Sequence, residues 1–182
     1  MIAAVYRPEN NQARPDPSAE EVARAHHAYD LLSSWHTLPG TRADGAIDAL
    51  ALQAWICAAQ AACTEHREVC DHHIGQVLAY APNGTDGVWP HESVRAVLEN
   101  ANSQALESGF RNGTLNKRGI VTRDPFAGGQ QEQTIAQQYR TWAQALAPAH
   151  PRTAAVLAQI AEDYERDAHR QDIDAAHLRL RY

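Results

Sequence analysis

Two stretches near the C-terminus carry the pattern that most constrains the fold of this chain. In each stretch, apolar residues recur every three or four positions, which is the spacing of one face of an α-helix. Pro148 and Pro151 lie between the stretches, and proline suits the first turn of a helix. The pattern predicts a long antiparallel helical hairpin, whose last helix is expected to reach about residue 176 and to project beyond the bundle. The apolar positions are Ile135, Tyr139, Trp142 and Leu146, then Val156, Leu157, Ile160 and Tyr164.

Helices are also predicted in the N-terminal half of the chain. Ser18 and Glu21 match the capping-box pattern, and the helix that follows is expected to end near Trp35. Asp48 is expected to cap a second helix that runs toward Glu65. Both predictions depend on side-chain oxygens that accept hydrogen bonds from the first helical amides.

Three shorter helices are predicted in the middle of the chain. One starts near Asp71 and a second follows the turn at Trp89-Pro90. A third runs from about Ser103 to Asn112-Gly113, because glycine favours the left-handed backbone found after a helix C-terminus. Residues 114–129 are then predicted to form a long irregular segment.

The N-terminal segment differs from the rest of the chain. Ile2-Ala3-Ala4-Val5-Tyr6 is an apolar, strand-like run with no obvious partner strand. A polar stretch with three prolines follows and is predicted to be a linker. We therefore expect residues 1–17 to be a strand-like lead-in and linker, and residues 18–182 to be one helical bundle domain. An unpaired strand indicates that the chain continues a sheet located elsewhere or belongs to a longer polypeptide.

The composition agrees with an all-α fold. The hydrophobic fraction is 44%, yet the chain is rich in alanine and holds only two phenylalanines. Alanine costs less to hold in a helix than any other residue. We expect a single bundle of about six or seven helices that pack through small side chains.

The charge pattern excludes several partners. The formal charge of -6 is spread along the chain, with arginine beside acidic residues in most helical stretches, so no basic face for nucleic acid or anionic membrane is expected. No apolar run approaches the roughly 20 residues that span a bilayer, and no secretion signal follows Met1. The three cysteines indicate buried thiols rather than a disulfide framework. These observations predict a cytoplasmic protein without a cofactor.

Several short segments give the chain a family resemblance. Together they resemble the C-terminal helical region of long bacterial proteins of unknown function, and the resemblance covers most of the chain, including the strand-like lead-in. It implies a C-terminal module, and it carries no activity because no catalytic or binding residues are established for that group. The segments are Trp35-His36-Thr37-Leu38-Pro39-Gly40, Ile74-Gly75-Gln76-Val77-Leu78-Ala79, Asp86-Gly87-Val88-Trp89-Pro90, Asn116-Lys117-Arg118-Gly119 with Gly128-Gly129, and His150-Pro151-Arg152-Thr153-Ala154.

The cysteines and histidines between positions 57 and 73 are the densest cluster in the sequence of side chains that can bind a metal such as zinc. On one helix only neighbours such as His66 and Cys70 lie close enough to share an ion, so a second element would have to supply the other ligands. A metal site at His66 and Cys70 is therefore an alternative to buried cysteines and partly exposed histidines. The members of the group are Cys57, Cys63, His66, Cys70, His72 and His73.

Arg67 and His72 form an Arg-x4-His pair. This pair resembles the motif of HEPN-type helical ribonucleases, in which an arginine and a histidine act on the RNA phosphate and the 2′-hydroxyl. The resemblance implies a ribonuclease with Arg67 and His72 as catalytic residues. The chain departs from the motif at Glu68, where the family has a small polar residue or histidine, and an acid there would repel phosphate.

A locally cationic stretch lies between Glu107 and Asp124, which contains no acidic residue. It is a candidate site for phosphate or nucleic acid, and the alternative is a solvated loop whose cations face acidic helix surfaces. The following Gly128-Gly129 lacks the lysine and hydroxyl of a P-loop and indicates a hinge or turn. The cationic residues are Arg111, Lys117, Arg118 and Arg123.

The favoured hypothesis is a non-enzymatic helical interaction or structural module, forming the C-terminal part of a larger bacterial protein. Its expected partner is a protein or the rest of a larger polypeptide, with a homo-oligomer as an alternative. No catalytic or metal residue is expected under this hypothesis. The ribonuclease and the phosphate-binding or nucleic-acid-binding functions are the alternatives.

Overall fold

The structure is a computed structural model of the 182-residue chain and describes residues 18–119 and 127–180. Within these two ranges it contains seven α-helices and no strand, which confirms the predicted all-α fold. The strand-like Ile2-Ala3-Ala4-Val5-Tyr6 and the linker lie outside the described residues. The helices are α1 (Ala19–Ser34), α2 (Ala49–Ala61), α3 (Arg67–Leu78), α4 (Glu92–Ala101), α5 (Gln104–Asn116), α6 (Gln130–Leu146) and α7 (Pro151–Arg179).

The helix starts that depend on local capping are confirmed. Ser18 accepts a hydrogen bond from the amide of Glu21, whose carboxylate accepts one from the Ser18 amide at 2.8 Å. Asp48 caps α2 by accepting from two amides at 3.1 Å. Ser103 caps α5 in the same way through the amide of Leu106. These ends form where the sequence predicts them because each cap and its amides lie within three residues of one another.

Three predicted boundaries are wrong. The helix α2 ends at Ala61 rather than near Glu65, and a short 3₁₀ turn (Thr64–His66) follows it. The third helix of the chain, α3, begins at Arg67 rather than near Asp71. The helix α5 does not end at Asn112-Gly113 but continues to Asn116, so the irregular segment starts later than predicted. Gly113 lies inside α5, where a Cβ atom would lie 2.8 Å from the Cα of Gln76. This glycine therefore permits contact with α3 and does not end the helix.

The helices α3 and α5 cross with their backbones in contact. A Cβ atom added at Gly75 would lie 2.1 Å from the carbonyl oxygen of Leu106, and one added at Gly109 would lie 1.9 Å from the carbonyl oxygen of His72. Both separations are far shorter than a van der Waals contact. Glycine is therefore required on both sides of this crossing.

The predicted hairpin of α6 and α7 is confirmed, and α7 runs to Arg179, slightly beyond the predicted end. Its inner face meets the core around Trp89, which is 4% exposed and donates a hydrogen bond to the carbonyl oxygen of Ala81. The centroid of the Trp89 ring lies 5.1 Å from the centroid of the Phe110 ring and 5.9 Å from that of the Trp142 ring. This aromatic cluster joins the hairpin to α5 and to the loop before α4.

The loop before α4 is held by Arg95, which is buried. Its guanidinium donates to both carboxylate oxygens of Asp86 at 2.6 and 2.8 Å, to the carbonyl oxygen of Pro90 at 2.6 Å and to that of Val88. The hydrogen bonds from Arg95 hold the pKa of Asp86 well below its usual range. Arg95 therefore fixes the loop that places Trp89 in the core.

Candidate functional site

The Arg67 and His72 pair lies on α3. Positions five apart on a helix are rotated by about 140° around its axis, so the two side chains leave α3 in different directions. Arg67 is 55% exposed and donates to Asp71 at 3.1 Å. His72 is half-buried, its ring lies 3.4 Å from the amide nitrogen of Gln76, and burial lowers its pKa. The helix does not present the two residues on one face.

Asp71 is the most connected acid in this region. It is 5% exposed and accepts hydrogen bonds from Gln60 at 2.8 Å, from Arg67 at 3.1 Å and from Ser103 at 2.8 Å. These bonds connect α2, α3 and the start of α5. Sequence reasoning missed this role, although the spacing of Arg67 and Asp71 by four residues is a recognised helical ion-pair signal. In the structure Arg67 pairs with Asp71 within α3, and the bonds from Gln60 and Ser103 to the same carboxylate join the three helices.

The cysteines differ in exposure, so the prediction that all three are buried is wrong. Cys57 is exposed, Cys63 is half-buried and Cys70 is buried. The Cys70 sulfur lies 3.5 Å from the carbonyl oxygen of Ala59, and burial together with contact to Cys63 raises its pKa to about 12. Within residues 18–119 and 127–180, no group of three or more cysteine, histidine or acidic side chains is placed to hold a metal ion. His66, in the turn before α3, and Cys70 thus lack a further ligand there.

The three described cations of the cationic stretch contact the bundle: Arg111 lies within α5, and Lys117 and Arg118 follow its C-terminal end. Arg111 donates to both carboxylate oxygens of Asp163 at 2.5 and 2.6 Å. Lys117 donates to the carbonyl oxygen of Ala79 at 3.2 Å and lies 5.4 Å from the centroid of the Trp89 ring. Burial lowers the pKa of Lys117. These two cations therefore connect α5 to α7 and to the end of α3.

Arg118, the next residue, pairs with an acid in the protein interior. Its guanidinium lies 2.7 Å from the carboxylate of Glu132, which is 0% exposed, and 5.5 Å from the centroid of the Tyr164 ring. The pair connects the end of α5 to α6 and α7. Arg123, the fourth predicted cation, lies outside the described residues.

An open groove of about 470 Å³ lies between the end of α5 and the middle of α7. Arg166 and Arg170 are mostly exposed, and they pair with Asp163 and Asp167 one helical turn earlier. Sequence reasoning missed these arginines as candidates, although their repeated spacing from an acid was visible. The groove is lined by Leu115, Arg118, Gly119, Asp163, Tyr164, Arg166, Asp167 and Arg170.

Two helix N-termini are closed by carboxylates of neighbouring helices. Asp172 of α7 accepts from the amide of Gly129 at 2.9 Å, before the first turn of α6. Glu99 of α4 accepts from the amides of Arg152 at 3.3 Å and Thr153 at 2.7 Å, in the first turn of α7. These carboxylates occupy the positions that an external anion would take.

The outer surface of α2 is apolar. We call its exposed residues the α2 face. Leu50, which is 84% exposed, is the largest of them, and Gln53 is the only polar one. On the opposite side Leu52 and Ile56 are buried and hold α2 on the bundle. The α2 face consists of Ala49, Leu50, Ala51, Gln53, Ala54, Cys57, Ala58 and Ala61.

Sequence reasoning missed the α2 face, although one signal for it was available. The thirteen residues of α2 include no charged side chain, whereas an exposed helix of a globular protein normally carries charge on its outer side. The sequence could not show which of these residues the other helices cover.

Comparisons with protein-family models, with curated proteins and with solved structures found no match to this chain. None of the helices in the described parts of the chain is long and apolar enough to cross a membrane.

Proposed function

We propose that the chain is a non-enzymatic helical interaction module, forming the C-terminal part of a larger bacterial protein, and that it binds its protein partner through the α2 face. The observation that carries this proposal is the exposure of an apolar helix surface without charge, with Leu50 at its N-terminal end. Contiguous apolar surface is typical of protein–protein contact sites, because water leaves it when a partner binds.

The contacts of the other candidate residues also support a structural role. Arg67 contacts Asp71, Arg111 contacts Asp163, and Arg118 contacts Glu132. A catalytic or phosphate-binding arginine would have to exchange its carboxylate for the substrate. For Arg111 and Arg118 this exchange would remove a contact between helices, and for Arg67 it would remove the partner of the buried Asp71. The α2 face can bind a partner without breaking any of these pairs.

The ribonuclease alternative is tested with purified full-length chain and single-stranded RNA. We expect the wild-type chain and the His72→Ala variant to show the same background RNA hydrolysis, because Arg67 and His72 lie on different sides of α3. His73→Ala is the matched control, since it removes the neighbouring half-buried histidine.

Cleavage that the wild-type chain and His73→Ala show but that His72→Ala lacks would overturn the non-enzymatic proposal. Circular dichroism and thermal unfolding of both variants establish that they are folded. An equal background in all three proteins agrees with the proposal.

A further inference from the structure

The absence of charge distinguishes α2 from the other helices. Each of the other six helices in the described parts of the chain carries charged residues. Charged groups on a partner surface would lose their hydration when they pack against α2, and α2 offers no opposite charge in exchange. Such a contact is unfavourable. The α2 face therefore fits a surface that also lacks charge, and the same face on a second copy of the chain is one.

We propose that the partner of the α2 face is the α2 face of a second copy, packed antiparallel about a two-fold axis. This inference rests on the proposed interaction function and names its partner. An isologous contact of this kind uses the same residues on both copies, so a surface without charge is complementary to itself.

The spacing of the central residues supports the antiparallel arrangement. Leu50, Ala54, Cys57 and Ala61 lie at intervals of four, three and four positions, which places them in one stripe along the helix. These intervals read the same in both directions. A two-fold axis between positions 55 and 56 therefore sets Leu50 opposite Ala61 of the second copy, and Ala54 opposite Cys57 of the second copy.

Large side chains then face small ones across the contact. Leu50 projects toward Ala61, and the alanines at the centre let the two helix axes approach to about 8 Å, the short end of helix packing distances. Thirteen residues give a helix of about 20 Å, so the contact is smaller than a standard interface of roughly 800 Å² on each partner. We expect a weak dimer that forms at high protein concentration and dissociates on dilution.

Cys57 allows the arrangement to be tested by cross-linking. About an axis between positions 55 and 56, the two Cys57 residues are separated by three positions along the helices, or about 4.5 Å. The experiment uses the full chain with Cys63→Ser, so that Cys57 is the exposed thiol while Cys70 stays buried. The reagent is a bis-maleimide with a short spacer, and the product is measured on a reducing gel.

We expect a covalent dimer whose yield rises with protein concentration. Ala54→Arg places a charge in the stripe and is expected to reduce the yield at least about tenfold, the effect of losing about 1.4 kcal/mol of association free energy. Ala96→Arg is the matched control, because Ala96 is an exposed alanine on α4, and its yield is expected to equal that of the parent chain.

Two results would overturn the dimer. The first is that neither Ala54→Arg nor Ala96→Arg changes the yield of cross-linked dimer. The second is that no cross-linked product forms and light scattering gives the monomer mass of 20.0 kDa at high micromolar concentration. Neither result bears on the broader interaction proposal, because both leave the α2 face exposed to a different protein partner. A large loss of stability in Ala54→Arg would overturn that broader proposal, since it would mean that the chain itself covers the α2 face.

Discussion

Gly109→Ala is expected to lower the free energy of unfolding by about 3 kcal/mol, the upper range for inserting atoms into a packed interior. The added Cβ atom would lie 1.9 Å from the carbonyl oxygen of His72, so α3 and α5 would have to separate. Intrinsic helix propensity predicts the opposite sign, because alanine is about 1 kcal/mol more favourable than glycine in a helix. Urea unfolding of the variant and of the wild-type chain measures the difference.

Ser108→Ala is the control for this prediction. Ser108 precedes Gly109 on α5 and is exposed, so its replacement is expected to change the free energy of unfolding by less than about 0.5 kcal/mol. If Gly109→Ala proved as stable as the wild-type chain, or more stable, the close crossing of α3 and α5 would be incorrect.

Arg118→Met is expected to cost about 3 kcal/mol of stability at neutral pH, because it removes the cation that faces the buried carboxylate of Glu132. Adding Glu132→Gln is expected to recover part of the loss, since the neutral amide needs no counter-charge. Arg166→Met is the matched control, because it removes an exposed arginine whose partner Asp163 keeps both hydrogen bonds from Arg111. This variant is expected to cost less than about 1 kcal/mol.

Chemical denaturation of the four proteins, including the double variant, measures these differences. A cost for Arg118→Met no larger than for Arg166→Met would show that the pair contributes nothing beyond a surface contact. A double variant no more stable than Arg118→Met would mean that the charge of Glu132 is not the source of the loss.

Elements with local signals could be predicted from the sequence. The caps at Ser18, Asp48 and Ser103 act on amides within three residues, and the apolar spacing of the α6 and α7 hairpin reports directly which side of each helix is buried. The end of α5 could not be predicted in this way. Gly113 is required by the Gln76 backbone, which lies far away in the sequence.

The candidate sites show the same limit more clearly. The sequence indicated Arg111 and Arg118 as cations. Their partners Asp163 and Glu132 belong to other helices, so the acidic residues close to each arginine in the sequence do not reveal them. Arg67 has its acid only four residues away, so its pairing with Asp71 was within reach of sequence reasoning. Pairs between helices could not be predicted, because they depend on which helix faces pack together, and the sequence does not show this.

The central claim is that the α2 face is open to a partner and is not part of the chain's own core. Unfolding of the full-length Ala54→Arg variant at low protein concentration tests this claim most directly. The account predicts a free energy of unfolding within about 0.5 kcal/mol of the wild-type value, because an arginine at an exposed helical site keeps good helix propensity and stays in water. A loss of about 2 kcal/mol or more would contradict it, since only a residue covered by its own chain would lose that much stability on gaining a charge.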